Sequence, residues 1–232
     1  LYKGDPNGTL EWNGGSQRDY YDNYELKTNE PVNIWDDLMN LIHTINFTSR
    51  EDFKRNLDGV LNTEKTIQAW AANNLFANLD AYYNSSHNYY LYHNSMTGKF
   101  EWISWDVGTS FGVYPFWSIK TAIEIDPVFI SGNGNNRPLF QHIFEVEDYK
   151  SIFFNSYCDY LQNYFTPEYL FPKIDSIADR IRPYIYSEPD SNRMYTGEEF
   201  EGNLGYTDLK KTLYSLPGLK SFVMKRREYL IN

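Results

Sequence analysis

The run from residue 78 to residue 112 constrains this chain more than any other part of it. It holds Asn-Leu-Asp, then His-Asn-Tyr-Tyr-Leu-Tyr, then Trp-Ile-Ser-Trp-Asp-Val-Gly-Thr-Ser-Phe-Gly. Residues 89–92 and 100–105 are rich in aromatic and aliphatic side chains, and Asn94-Ser95-Met96-Thr97-Gly98 between them is a tight-turn signal. That pattern predicts a β-hairpin. Asp80 closes a helical pattern before the hairpin, Asn88 opens its first strand and Asp106 follows its second. Folding therefore draws two carboxylates and a carboxamide to one hairpin mouth. These are hard oxygen ligands, suited to Mg²⁺ or Mn²⁺.

At 232 residues the chain has enough material for one domain with a substantial core. Hydrophobic residues make up 41% and aromatics 18%, which excludes a disordered polymer. The net charge of −10 argues against nucleic acid as a partner and is compatible with a basic protein substrate. No apolar run reaches the roughly 18 residues of a membrane helix. The start at Leu1 without Met reads as a mature fragment, with any targeting segment outside it. Cys158 alone can form neither an intrachain disulfide nor a zinc cluster, and its apolar helical surroundings predict a buried thiol. Asn7, Asn46 and Asn84 begin glycosylation-type triplets, read here as chance in an Asn-rich chain.

In order along the chain, short strands are expected at the start and near residues 24–27. Asn33 is expected to cap a helix with Ile34, Leu38, Leu41, Ile42 and Ile45 on one face. Ser49 and Asp52 form a capping-box pattern for a second helix. Residues 63–79 read as a third, with Ile67, Trp70, Ala71, Leu75 and Asn78 along its core stripe. Gly108, Gly112 and Pro115 predict a turning segment, residues 131–138 a polar loop and 188–205 a second polar insertion. Helical patterns recur at 139–144, 148–165, 168–182 and 216–230. The fold class is α+β and mainly helical: a β/loop opening over 1–30, helices over 31–80, a hairpin over 88–106 and a helical region over 139–232.

The motifs resemble the signature of the CotH family, the spore coat protein H-like atypical protein kinases. The matching residues are Asn-Leu-Asp at 78–80, His-Asn-Tyr-Tyr-Leu-Tyr at 87–92 and Trp-Asp-x-x-x-Ser-Phe-Gly at 105–112. Leu1-Tyr2-Lys3-Gly4-Asp5 resembles the family's mid-domain strand, and Leu219-Lys220-Ser221-Phe222 with Arg226-Arg227 its closing helix. The resemblance implies the helical C-terminal lobe of an atypical kinase-like fold, with the nucleotide-covering lobe before Leu1. It implies ATP with Mg²⁺ or Mn²⁺, Asp80 as catalytic acid, and Asp106 with Asn88 as metal ligands. The implied acceptor is a serine-containing protein of the spore coat or cell surface, in a secreted or coat setting. Some CotH-like proteins of fungal surfaces are regarded as adhesins, so a surface adhesin or assembly module is the alternative. A glycoside hydrolase built on the paired acids is a third reading, without any hydrolase motif between them.

The departures from ordinary kinases are specific. Asp106-Val107-Gly108 stands where those enzymes carry Asp-Phe-Gly. Their metal-binding Asn follows the catalytic Asp by about five residues; here Asn84 lies four after Asp80 and Asn88 eight after, and Asn88 is preferred because it sits in the family-like run. Asp106 follows Asp80 by twenty-six residues, a longer separation than usual. The chain has no Gly-rich phosphate loop, no Val-Ala-Ile-Lys strand and no Walker lysine, and neither Lys3 nor Lys27 is assigned to phosphate. A weakly active or inactive fragment is expected without the covering lobe. His87, beside Asn88, can be read as a general base, but a structural hydrogen bond to a loop carbonyl is the expectation. Tyr89, Tyr90, Tyr92, Trp102 and Trp105 alternate along the hairpin and are expected to be core on one face, with a platform for a sugar or adenine ring as the alternative.

Overall fold

The computed structural model describes residues 1–114, 117–130, 137–189, 191–192, 195–210 and 215–232. Strands β1 (Tyr2–Gly4), β2 (Tyr24–Leu26), β3 (Tyr89–Asn94) and β4 (Lys99–Ser104) form an antiparallel sheet in the order β2-β1-β3-β4. The β3–β4 hairpin is therefore not a lone insertion in a helical body. An isolated two-stranded hairpin is marginal in water, and the opening residues supply its missing neighbours. In the β1–β3 register Gly4 faces Tyr89, where a Cβ would lie 2.4 Å from the tyrosine ring, so only glycine lets the strands close.

The aromatic hairpin residues alternate between two faces, and one of those faces is core. Tyr89 and Trp102 are buried and stacked, with ring centroids 4.1 Å apart. Tyr92 and Trp105 are exposed, and Trp105 meets Tyr90 edge-on at 5.2 Å. Strand alternation requires this split, because consecutive tyrosines at 89 and 90 cannot share a face.

The helical body comprises α1 (Asp36–Phe47), α2 (Phe53–Val60), α3 (Thr63–Leu75), α4 (Tyr82–Ser85), α5 (Ile119–Ile123), α6 (Pro138–Ile143), α7 (Glu147–Asn163), α8 (Pro167–Ser187) and α9 (Gly197–Leu204). A two-stranded ribbon of β5 (Leu209–Lys210) and β6 (Ser215–Leu216) follows, and α10 (Leu219–Ile231) closes the chain. Helix α3 is the axis, packed along α7 on one side and β4 on the other. Its Trp70 stacks on Tyr82 at 5.5 Å and meets Trp102 edge-on at 5.3 Å. Fully burying each such ring contributes roughly 2–3 kcal/mol. From α10, the buried Arg226 donates to Ile125 O at 2.6 Å, to the Tyr157 hydroxyl at 2.9 Å and to Asn74 Oδ1 at 3.2 Å. One guanidinium thus joins α10 to α3, α7 and the segment after α5.

Several expectations are corrected. Asn33 does cap locally, accepting from Trp35 N at 2.6 Å, but Trp35 is left-handed and Ile34 lies 64% exposed, before α1 begins. The helix expected over 63–79 stops at Leu75. The polar insertion at 188–205 contains α9, whose Thr196 and Glu199 form a capping box that was visible as Thr-x-x-Glu. Leu216 belongs to β6, and Pro217 delays the last helix to Leu219. Cys158 is exposed, on the outer side of α7. The loop expected at 131–138 falls largely on 131–136, which like Pro115 lie outside the described residues; Arg137 is buried and Pro138 opens α6. Asn46 and Asn84 spend their side-chain amides on main-chain carbonyls, as structural asparagines do. Among the described residues no helix is long and apolar enough to cross a membrane.

Candidate active site

The site begins where α3 is unwound by its own asparagines. Asn73 Nδ2 donates back to Ala69 O and across to Ser104 Oγ of β4, both at 2.9 Å. Its Oδ1 accepts from Asn78 Nδ2 at 2.8 Å, and Asn78 Oδ1 accepts from the Thr109 hydroxyl at 2.9 Å. Asn78 N bonds Asn73 O at 2.8 Å, wrapping the chain around the helix end through a left-handed Ala77. Side-chain amides that compete with the main-chain ladder end helices in this way. The turn delivers Asp80, partly buried, to the residues that lead into β3.

The short helix α4 follows, and it is braced from a distance. Buried Arg137 donates to Tyr82 O and Asn84 O, with its guanidinium carbon 5.8 Å from the Tyr82 ring centroid. Tyr83 donates its hydroxyl to Asn78 O at 2.8 Å, and Asn84 Nδ2 donates to Leu79 O at 2.5 Å. Asn84 is thus a brace of the loop.

Beyond α4 the chain turns sharply. Ser86 and Asn88 both lie in the left-handed region, at φ 57° and 59°. Among the described residues, five of the eight non-glycine residues with positive φ fall in this segment: Ala77, Ser86, Asn88, Asp106 and Phe111. Each costs on the order of 1–3 kcal/mol, and such strain gathers where geometry serves function. The turn returns two side chains to Asp80. Asn88 Nδ2 lies 2.9 Å from Asp80 O and 2.9 Å from its Oδ2. His87 Nε2 lies 2.8 Å from Oδ1, so its partner is the carboxylate rather than the expected loop carbonyl.

Asp106 reaches the same mouth on the opposite strand. Trp105 N donates to Asn88 O at 3.0 Å, one step past the last rung of the β3–β4 ladder, and Asp106 follows directly. Asp106 is left-handed at φ 46°, exposed, and followed by a 3₁₀ turn at Val107–Thr109. The hairpin therefore joins Asp80 and Asn88 side chain to side chain and brings Asp106 beside them along the backbone. Asn73, Tyr83, Thr109 and Arg137 are supporting residues that the sequence reading missed, and Asn78, expected on a helical core stripe, joins them in the turn.

The family model described as CotH kinase protein matches residues 1–230. The chain belongs to the CotH family. It is similar to the inner spore coat protein H of Bacillus subtilis (strain 168), with 31% identity over 153 residues. That match takes in 66% of this chain and 40% of the relative, so the chain spans well under two thirds of the relative's length.

Three motifs of the CotH resemblance, at 78–80, 87–92 and 105–112, thus meet around the mouth, while those at 1–5 and 219–227 lie at β1 and in α10. Among the described residues no three His, Cys, Asp or Glu side chains converge on one point. Asp106 and Asn88 nevertheless present uncommitted oxygens. Both amide bonds of Asn88 go to Asp80, and among the described residues neither its Oδ1 nor the Asp106 carboxylate has a hydrogen-bond partner. A carboxylate and an amide oxygen, with water completing the shell, fit a divalent hard cation. A cavity of about 620 Å³ opens next to Asp106, walled by Val107, Gly108, Phe111, Ile185, Phe200 and Leu219.

Proposed function

We propose that this chain carries the catalytic acids of an atypical protein kinase, which transfers the γ-phosphoryl group of ATP to a serine hydroxyl of a spore-coat or surface protein. The observation that carries the reading is the amide of Asn88. One end holds Asp80 and the other is free for a cation, so one side chain couples an acid to a metal site, the combination that phosphoryl transfer requires.

In this reading Asp80 is the base. Its carboxylate orients the serine hydroxyl and takes its proton as the new O–P bond forms and the bond to the departing ADP oxygen breaks. Asp106 and Asn88 would hold Mg²⁺ or Mn²⁺, which neutralises charge on the phosphates when bound. Trp105, 51% exposed and braced edge-on by Tyr90, offers a face to the nucleotide base. The acidic balance of the chain favours a basic acceptor. The spore-coat setting is supported by the name of the similar Bacillus subtilis protein.

The test is titration of MgATP and MnATP into this chain, into Asp106→Ala and into a form extended at the amino terminus, followed by thermal stabilisation. Binding that disappears in Asp106→Ala, together with transfer of labelled phosphate to serine by the extended form, is the expected result. Failure of every form to bind ATP would sink the reading and favour the adhesin or assembly module.

A further inference from the structure

We propose that His87 is a positioning residue for Asp80, an assignment that rests on the kinase reading above. An ionised carboxylate has only acceptors, so the ring nitrogen 2.8 Å from Oδ1 must carry a proton and donate it. Asn88 donates to Oδ2 at 2.9 Å. Each oxygen therefore has one fixed donor, and each keeps acceptor capacity for a substrate hydroxyl. The terminal torsion of an aspartate is intrinsically broad; two donors on opposite oxygens hold its plane.

The backbone around His87 is shaped for this contact. Both flanking residues, Ser86 and Asn88, are left-handed. Ser86 is fixed in turn, its hydroxyl donating to Asn7 Oδ1 at 2.5 Å and its N–H bonding Tyr82 O at 3.1 Å. Arg137 holds the carbonyls of Tyr82 and Asn84 just before it. Core packing does not account for the imidazole: its side chain is 29% exposed, and among the described residues it meets no aromatic ring. The strained turn, its anchors and the histidine together have one visible product, a carboxylate of fixed orientation. Loss of the imidazole should therefore spare nucleotide binding and slow the chemical step.

The experiment measures phosphate transfer from MnATP to histone H1, a serine-bearing basic probe, by the amino-terminally extended protein. His87→Ala is expected to lower kcat roughly 10–100-fold, the scale of a small misplacement of a reacting group, with KM for ATP within about threefold of wild type. His87→Gln, whose amide nitrogen takes the place of Nε2, is expected to recover most of the rate. Circular dichroism and melting curves establish folding, and His87→Phe substitutes for the alanine variant if that variant melts. Wild-type kcat in the alanine and glutamine variants, with Asp80→Asn inactive, would overturn the assignment and leave the kinase reading standing. An equal loss in both variants, or a loss carried by KM for ATP, overturns it too. Absence of transfer by the wild-type protein, in which MnATP still binds, removes the kinase reading and this assignment with it.

Discussion

Asn88 donates its side-chain amide to both the main-chain carbonyl and the carboxylate of Asp80, each at 2.9 Å. Its backbone is left-handed, so glycine is the substitution that preserves the turn while deleting the amide. Asn88→Gly should fold and bind MnATP about 10–100-fold more weakly, as measured by thermal shift across a MnATP titration. Unchanged affinity would remove Asn88 from the metal site.

Asp106 is exposed, and among the described residues it has no hydrogen-bond or ion-pair partner, so the fold does not depend on its charge. Asn tolerates the left-handed backbone that Asp106 occupies. Asp106→Asn should change unfolding free energy by no more than about 0.5 kcal/mol while lowering phosphate transfer at least about 100-fold. Urea denaturation and a transfer assay on the same preparation check both halves.

Arg137 is the buried brace of α4. Arg137→Met keeps bulk but removes the side-chain donor from Asn84 O and leaves Tyr82 O with Ser86 N–H alone. A loss of roughly 2–4 kcal/mol is expected in urea denaturation, with one buried unsatisfied group costing about 1–3 kcal/mol. Arg137→Lys should recover only part of it, because an ammonium lacks the planar fork that spans two acceptors.

Asp58 supplies a pH dependence. Burial raises the proton affinity of its carboxyl, but hydrogen bonds from Lys54, Tyr149 and Thr63 outweigh burial and leave it below the ordinary 3.8. A depressed carboxyl contributes stability above its unfolded pKa and loses it as pH falls through the folded one. Wild type should therefore exceed Asp58→Asn in urea midpoint at neutral pH, and the gap should shrink below about pH 4. A gap that is constant with pH would show that the ionised form is not what matters.

The hairpin, its turn and most helices were legible because each is written in local periodicity. The contact of Asn88 with Asp80 and the position of Asp106 across the hairpin from Asn88 were legible because the hairpin signal placed them. What escaped the sequence was long-range. Arg137 acts on carbonyls more than fifty residues earlier, and nothing in Asn-Arg-Pro announces a buried cation. The end of α3 was misplaced because asparagine side chains, rather than Gly or Pro, unwind it. The pairing of β1 with β3 was missed because three-residue strands carry almost no pattern, and their register is set by the Gly4–Tyr89 contact. The left-handed positions were hidden for a similar reason, since Ala77, Ser86 and Phe111 are not residue types that advertise positive φ.

The β3–β4 ladder runs from Tyr89–Ser104 at the mouth to Asn94–Lys99 at the tip, and the proposed site lies at the mouth. Two residues added to each strand at the tip would preserve which side chains face the core and leave the Asn88–Trp105 bond untouched. Evolution can therefore lengthen or shorten this ribbon without moving Asp106 relative to Asp80. Of the twenty-six positions that separate the acids, the sixteen of residues 89–104 are ribbon and turn, so the spacing varies with ribbon length. A search pattern with a fixed gap would pass over relatives that place the same atoms in space, whereas one anchored on the residues flanking the mouth would gather them.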